Sequence, residues 1–301
     1  MRRILLAANL VVSFCVSFGQ DALTDRVSRL ERQIAEIRNQ LGLEIRTTPV
    51  VTVNLSSVPS ALAGNENIKY GYPGGEGRIL SKECYIILHI DSLRIPEWVT
   101  YHLTRQNLTG NAHRGNDFRP DPDIPAGERS ELVDYTRSGY DRGHMAPAGD
   151  FTRSDDAMSQ TFVLSNMTPQ RPKINREIWE KLEEEVRALA TNCGSVWIVT
   201  GTLFLDQTGH RAQPGLFVGP DRVAVPTHYY KAILSEHPDG THEMFAFIME
   251  NRETGLPGSP KDYVVSVRHI EDLTGLNLFN LLGKPEKDSL ETPVNSHWPP
   301  H

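Results

Sequence analysis

Asp141, Arg142, Gly143 and His144 set a carboxylate, a guanidinium, a hinge glycine and an imidazole on four consecutive residues. An imidazole that is neutral near pH 7 can take a proton from water. A guanidinium fork matches two anionic oxygens. Both are needed for phosphodiester hydrolysis, which also calls for charge stabilisation at phosphorus and at the departing oxygen, commonly by a divalent metal. Further along, Asn166-Met-Thr-Pro-Gln170 precedes Asn175, which offers a neutral oxygen of the kind magnesium accepts. A lone histidine is more often structural, and this chain has eleven. The neighbours of His144 are what argue for chemistry there.

Those groups need a scaffold. From Asn175 to Ala190 the apolar residues Ile178, Leu182, Val186 and Leu189 fall at helical spacing and make one buried stripe. Asn175, Trp179 and Glu183 are four apart, so they follow one edge of that stripe. A neutral oxygen ligand and a carboxylate would then face the strand that carries His144, with Pro169 and Pro172 shaping the approach. The plainer readings are a capping role for Asn175 and a solvated helix surface for Glu183. Tyr85–Ile90 and Trp98–Leu103 are rich in β-branched and aromatic residues and predict a hairpin, with Pro96 in the connection. Residues 106–139 read as a long loop over the active face. Further core strands are expected at Val196–Thr200, Arg222–Val225 and Glu243–Met249, then a last strand at Val264–Val267 and a short helix at Ile270–Leu273.

The two motifs, in this order and spacing, resemble the DNA/RNA non-specific endonucleases of the ββα-metal class. Lys69-Tyr-Gly-Tyr-Pro-Gly74, Ser81–His89, Asp117-Phe-Arg119, Val199–Phe204 and Ala224–Lys231 are colinear with that family and look closer to its endonuclease G branch. The resemblance implies an α+β fold with a central antiparallel sheet flanked by helices. It implies His144 as general base, Arg142 on the phosphate, and Asn175 as the one direct protein ligand of a magnesium ion, for which manganese substitutes. It further implies Glu183 as a carboxylate orienting metal waters and Asn166 as a positioning group near substrate. Asp141 would orient Arg142 or backbone amides, and Gly143 would permit a tight backbone. The family has one more phosphate-contacting arginine upstream, for which the chain offers Arg114 and Arg119; Arg119 is the expectation. DNA and RNA would be the substrates, and a homo-oligomer, dimer or trimer, the assembly.

Composition bounds the rest. The 301 residues are 39% hydrophobic, which suits one large domain with extensions, and the formal charge is −7. That acidity opposes nucleic-acid binding on average, so a local cationic groove is required. Arg105, Arg114, Arg119, Arg142, Arg153, Arg171 and Lys173 are its candidates. Residues 1–19 read as a secretory signal peptide, hence a secreted or periplasmic location without stable membrane association, because the apolar stretch is short for an anchor of roughly 20 residues. Residues 20–43 carry Leu23, Val27, Leu30, Ile34, Ile37 and Leu41 in alternating steps of four and three, the pattern of a short coiled coil or of an amphipathic helix on its own domain. Residues 44–66 read as a linker, 67–283 as the nuclease domain and 284–301 as a flexible tail. Cys84 and Cys193 belong to no metal pattern and read as free thiols more readily than as a disulfide. Two other functions fit the same residues less well: an inactive nucleic-acid-binding scaffold, which the intact motif opposes, and a phosphodiesterase for another anionic ester.

Overall fold

The computed structural model describes residues 58–299. The expected signal segment and heptad helix lie outside the described residues. In chain order the elements are β1 (Arg78–Ser81), β2 (Ile86–Ile90), β3 (Ile95–Thr104), α1 (Leu132–Tyr135), β4 (Asp141–His144), α2 (Asp155–Gln160) and β5 (Met167–Gln170). A π turn (Ile174–Ile178) then leads into α3 (Trp179–Cys193). After it come β6 (Ser195–Leu203), β7 (Phe217–Val218), β8 (Val223–Ala224), β9 (His228–Glu236), β10 (His242–Glu250), β11 (Val264–Val265), α4 (Val267–Thr274) and α5 (Lys284–Glu291).

Seven strands make one antiparallel sheet in the order β1-β2-β3-β6-β9-β10-β11. Both faces are covered. On one, Tyr101, Ile198, Tyr229, Ile233 and Phe247 pack against the Ile178, Leu182, Val186 and Leu189 stripe of α3. On the other, Trp98, Trp197, Tyr230, Ala232 and Ala246 pack against Val267 and Ile270 of α4. Two covered faces explain why β9 escaped the sequence reading. Its residues Tyr229 to Leu234 are all buried, so its apolar run shows no alternation with polar positions.

The hairpin of β2 and β3 forms as expected, but Pro96 lies inside β3 opposite His89, where the register shifts. A residue without an N–H is tolerated at such an irregularity. Within Arg222–Val225 a buried strand does form, but β8 pairs with β7 in a separate two-stranded ribbon rather than joining the seven-stranded sheet. The stretch read as a linker is already packed by Leu62, which is 2% exposed against the second face. The stretch read as a flexible tail holds α5, whose Lys287 donates to Glu271 at 2.9 Å and Glu291 at 2.5 Å. Beyond α5, Trp298 lies edge-on to Phe245 and Phe247. Prolines at 285, 293 and 299 suggested loose chain, but burial of one indole and one paired ammonium fixes it. Cys84 and Cys193 are free thiols. No described helix is long and apolar enough to cross a membrane.

Candidate active site

The site is built on β4, β5 and α3. β4 and β5 pair antiparallel, Asp141 opposite Gln170 and His144 opposite Met167. Gly143 is needed for a close approach rather than for a turn. A Cβ there would strike the Gln170 amide and lie 2.6 Å from the Gln170 Cβ. Directly before β5, Asn166 is fully buried: its Oδ1 accepts from Ala146 N–H, and its Nδ2 donates to the carbonyls of Ala146 and Thr161, all at 2.9 Å. Its amide is spent on the backbone that follows His144, so the expected contact with substrate gives way to a clasp that fixes β4.

His144 is half-buried at the wall of a cleft of about 450 Å³. Phe162 meets its ring edge-on at 4.9 Å between centroids, and Phe118 lies at 5.7 Å. The same two rings carry the arginines: Arg142 sits 4.1 Å over Phe118, and Arg114 5.8 Å from Phe162. Among the described residues no protein acceptor engages either guanidinium, and both line the cleft. His144 Nε2 is enclosed without a partner, which leaves Nδ1 as the nitrogen open to the cleft. Desolvation, then the charges of Arg114 and Arg142, push the imidazole down to about 3. It is therefore neutral over the whole physiological range.

Across the cleft, the Asn175 N–H bonds the Arg171 carbonyl inside the π turn, and its side chain caps nothing. Its Nδ2 donates to Asp141 Oδ2 at 2.9 Å. A carboxylate can only accept, so this contact fixes which end of the amide is which. Oδ1 is turned to the other side. Asp141 does not orient Arg142, as the sequence suggested; it accepts two bonds from Arg176, at 2.6 and 2.8 Å. The π turn also alters the expected spacing. Trp179 donates its N–H five residues back to Ile174, which places its ring in the core rather than on the cleft edge.

Glu183 lines the cleft. Burial raises its carboxyl to about 8, with Lys231 pulling the other way. Arg119 is absent from the cleft. It donates to Asp117 at 2.8 Å and to the Ser159 carbonyl at 3.0 Å, holding the loop, so Arg114 takes the place expected of it. Arg105, also offered for the groove, instead donates to the Thr191 carbonyl at the end of α3. Sequence reading missed Arg176, Glu180, Phe162 and the stack of Arg171 over Tyr140 at 4.2 Å. Arg176 directly follows Asn175, which was the available signal.

The donor set suits a hard cation. One free amide oxygen, a nearby carboxylate and two free guanidiniums for phosphate leave room for water and substrate oxygens. No cluster of three or more His, Cys, Asp or Glu side chains suited to a metal exists among the described residues. A metal there would rest on few protein ligands.

Residues 63–284 match the model of the DNA/RNA non-specific endonucleases. The chain is 36% identical over 232 residues to the mitochondrial nuclease EXOG of Danio rerio, covering 74% of this chain and 67% of that protein. It is 38% identical over 221 residues to nuclease C1 of Cunninghamella echinulata var. echinulata, 71% and 88% of the two chains. With mitochondrial endonuclease G of Bos taurus it shares 35% over 256 residues, 81% and 85%. A crystal structure of the EndoG/EndoGI complex superposes with a TM-score of 0.69 at 33% identity, covering 77% of this chain and 96% of that one. The family model spans most of the chain, and relatives and fold agree with it: the chain belongs to the DNA/RNA non-specific endonuclease family, in its endonuclease G-like branch, and is a nuclease.

Proposed function

We propose that the protein is a magnesium-dependent endonuclease cleaving both DNA and RNA without reading base sequence. One observation carries this: β4 and the π turn bring His144 and the Asn175 oxygen to one cleft, with Arg142 and Arg114 unengaged beside them. Guanidiniums that hold phosphate oxygens and touch no base edge give affinity without sequence preference. His144 accepts a proton from water aligned on phosphorus. Its low basicity in the free protein rises when a phosphodiester neutralises Arg142 and Arg114, so substrate binding itself prepares the base. Asn175 would hold magnesium, with manganese substituting, which supplies Lewis-acid stabilisation of the leaving oxygen. Asp141 keeps the Asn175 oxygen turned outward, and Glu183 accepts hydrogen bonds from cleft water.

Plasmid nicking with and without magnesium tests the reading. His144→Ala should lose about 10²–10⁴-fold in rate while remaining folded. Asn175→Ala should raise the magnesium requirement and lower the rate together. Full activity in excess chelator, or more than a tenth of the rate in His144→Ala, would remove these roles.

Export through residues 1–19 and self-association through the heptads of 20–43 complete the proposal, although several relatives are named mitochondrial. With Val27 and Ile34 at two of three a positions the pattern leans to a dimer, and Ile37 at d leaves a trimer open. Deleting residues 20–43 should weaken assembly and spare cleavage. A full chain that scatters light as a monomer at micromolar concentration would mean the seam packs on its own domain.

A further inference from the structure

Neither the ribbon that carries His144 nor the π turn that carries Asn175 belongs to the seven-stranded sheet, yet the two must keep a fixed separation. The chain joining them runs Pro169-Gln-Arg-Pro172, and its two prolines have no N–H with which to tie it down. Its anchor is a side chain 80 residues away. Asn251 follows directly on β10, and its own N–H extends the sheet by donating to the Thr227 carbonyl at 2.7 Å. Its Oδ1 accepts from the Arg171 N–H at 2.8 Å. Its Nδ2 donates to the carbonyls of Pro169, at 3.0 Å, and Pro226, at 2.9 Å. One donor and two acceptors around the amide fix which end is which.

Two of these bonds lead straight to the site. Pro169 stands opposite Arg142 in the ribbon. Arg171 offers its carbonyl to the Asn175 N–H at 2.9 Å, at the start of the π turn. Asn251 itself does not line the cleft. We propose that Asn251 is a positioning residue of the nuclease: bonded at once to the sheet, to β5 and to the entry of the π turn, it sets the separation of His144 and Arg142 from the Asn175 oxygen. This rests on the function proposed above, in which those groups act on one phosphodiester. Bonds that share one planar amide leave little play, and misplacing a reacting group by about 1 Å can cost about 10²-fold in rate. The Tyr229 hydroxyl also donates to the Pro169 carbonyl, at 2.9 Å, so loss of Asn251 should loosen the turn more than the ribbon.

The test follows plasmid nicking against magnesium concentration for the full chain, Asn251→Ala and Asn251→Ser. It is paired with amide hydrogen exchange, read by NMR on the metal-free proteins. In Asn251→Ala the half-saturating magnesium should rise and the saturated rate fall, together by about 10–100-fold, as when a group that orients a metal ligand is removed. The Arg171 and Asn175 amides should lose protection while those of β9 and β10 keep theirs. Val267→Ala, buried on the opposite face of the sheet, supplies a general loss of stability and should leave the magnesium titration unmoved. In an Asn175→Ala background, Asn251→Ala should raise the magnesium requirement no further, because both changes act through one oxygen. A wild-type magnesium titration, unchanged exchange at Arg171 and Asn175, or a full further shift without the Asn175 amide overturns the proposal. If Asn251→Ala fails to fold, Asn251→Ser decides, since its shorter hydroxyl can hold one element but cannot span both. It should move the titration the same way by less, and an unmoved titration there overturns the proposal equally. A wild-type chain that nicks nothing, or nicks as well without magnesium, overturns the function proposed above, whereas the exchange at Arg171 and Asn175 still reports whether Asn251 fixes the turn.

Discussion

Asp141 illustrates how one side chain can serve a site without touching the reacting atoms. Its two oxygens accept from Asn175 and from both ends of the Arg176 fork. The first bond turns the amide oxygen outward; the other two hold the carboxylate in place. Asp141→Ala should therefore act through Asn175. Freed from its acceptor, the amide can present its NH₂ to a cation as readily as its oxygen. The expected result is a higher magnesium requirement at nearly unchanged DNA affinity, with a rate loss smaller than that of Asn175→Ala. A magnesium titration of nicking checks it, and a curve identical to wild type would show that Asn175 orients itself. The charge and the proximity in sequence of Asp141 were legible beforehand, but not its partners. Arg142 stands next to it in the chain, yet it stacks on Phe118 from a distant loop, and Arg176 comes from the π turn. The structure sets Arg114 rather than the expected Arg119 at the cleft for the same reason. Both flank the same short segment, and only the loop path decides which guanidinium is consumed by Asp117 and which reaches the cleft.

Among the elements, α3 and the one strand of the β4–β5 ribbon that carries His144 were legible where local pattern and burial agreed. The stripe Ile178, Leu182, Val186 and Leu189 faces the sheet as its spacing requires. What escaped was set by tertiary context: the π turn before α3, the two-sided burial of β9, and the packing of the C-terminal segment by Trp298 and Lys287. None of these leaves a periodic mark in the sequence. The ribbon also depends on a fit that only the paired strands reveal. Gly143 faces Gln170 with no space for a methyl group. Gly143→Ala should cost about 1–3 kcal/mol, as overpacking does, and lower nicking because Asp141, Arg142 and His144 share that strand. Adding Gln170→Gly should return part of both, less the cost of about 0.5–1 kcal/mol for a glycine in a strand. Thermal melts of the single and double variants are the measurement. Independent, additive losses would place the strain elsewhere.

At the scale of the whole molecule, the formal charge of −7 repels a polyanion, so the attraction has to come from local cationic groups such as those of the cleft. Arg176 is committed to Asp141, which leaves Arg114 and Arg142 as the guanidiniums free to meet phosphate there. Each neutralised phosphate of duplex DNA contributes about −0.9 to the slope of log affinity against log salt. Two give a slope of about −2, shallow beside that of proteins that grip DNA along a basic face. Screening of the overall repulsion flattens it further as salt rises. Binding measured with His144→Ala, so that substrate stays intact, should weaken only about tenfold between 50 and 200 mM salt. In that background Arg114→Ala should make the slope shallower by about one, while Arg119→Ala should leave it unchanged because that guanidinium is held by Asp117 and the Ser159 carbonyl. A slope beyond about −5 would mean that a wider surface than the cleft meets the backbone. Equal slopes for the two arginine variants would take Arg114 out of the phosphate site.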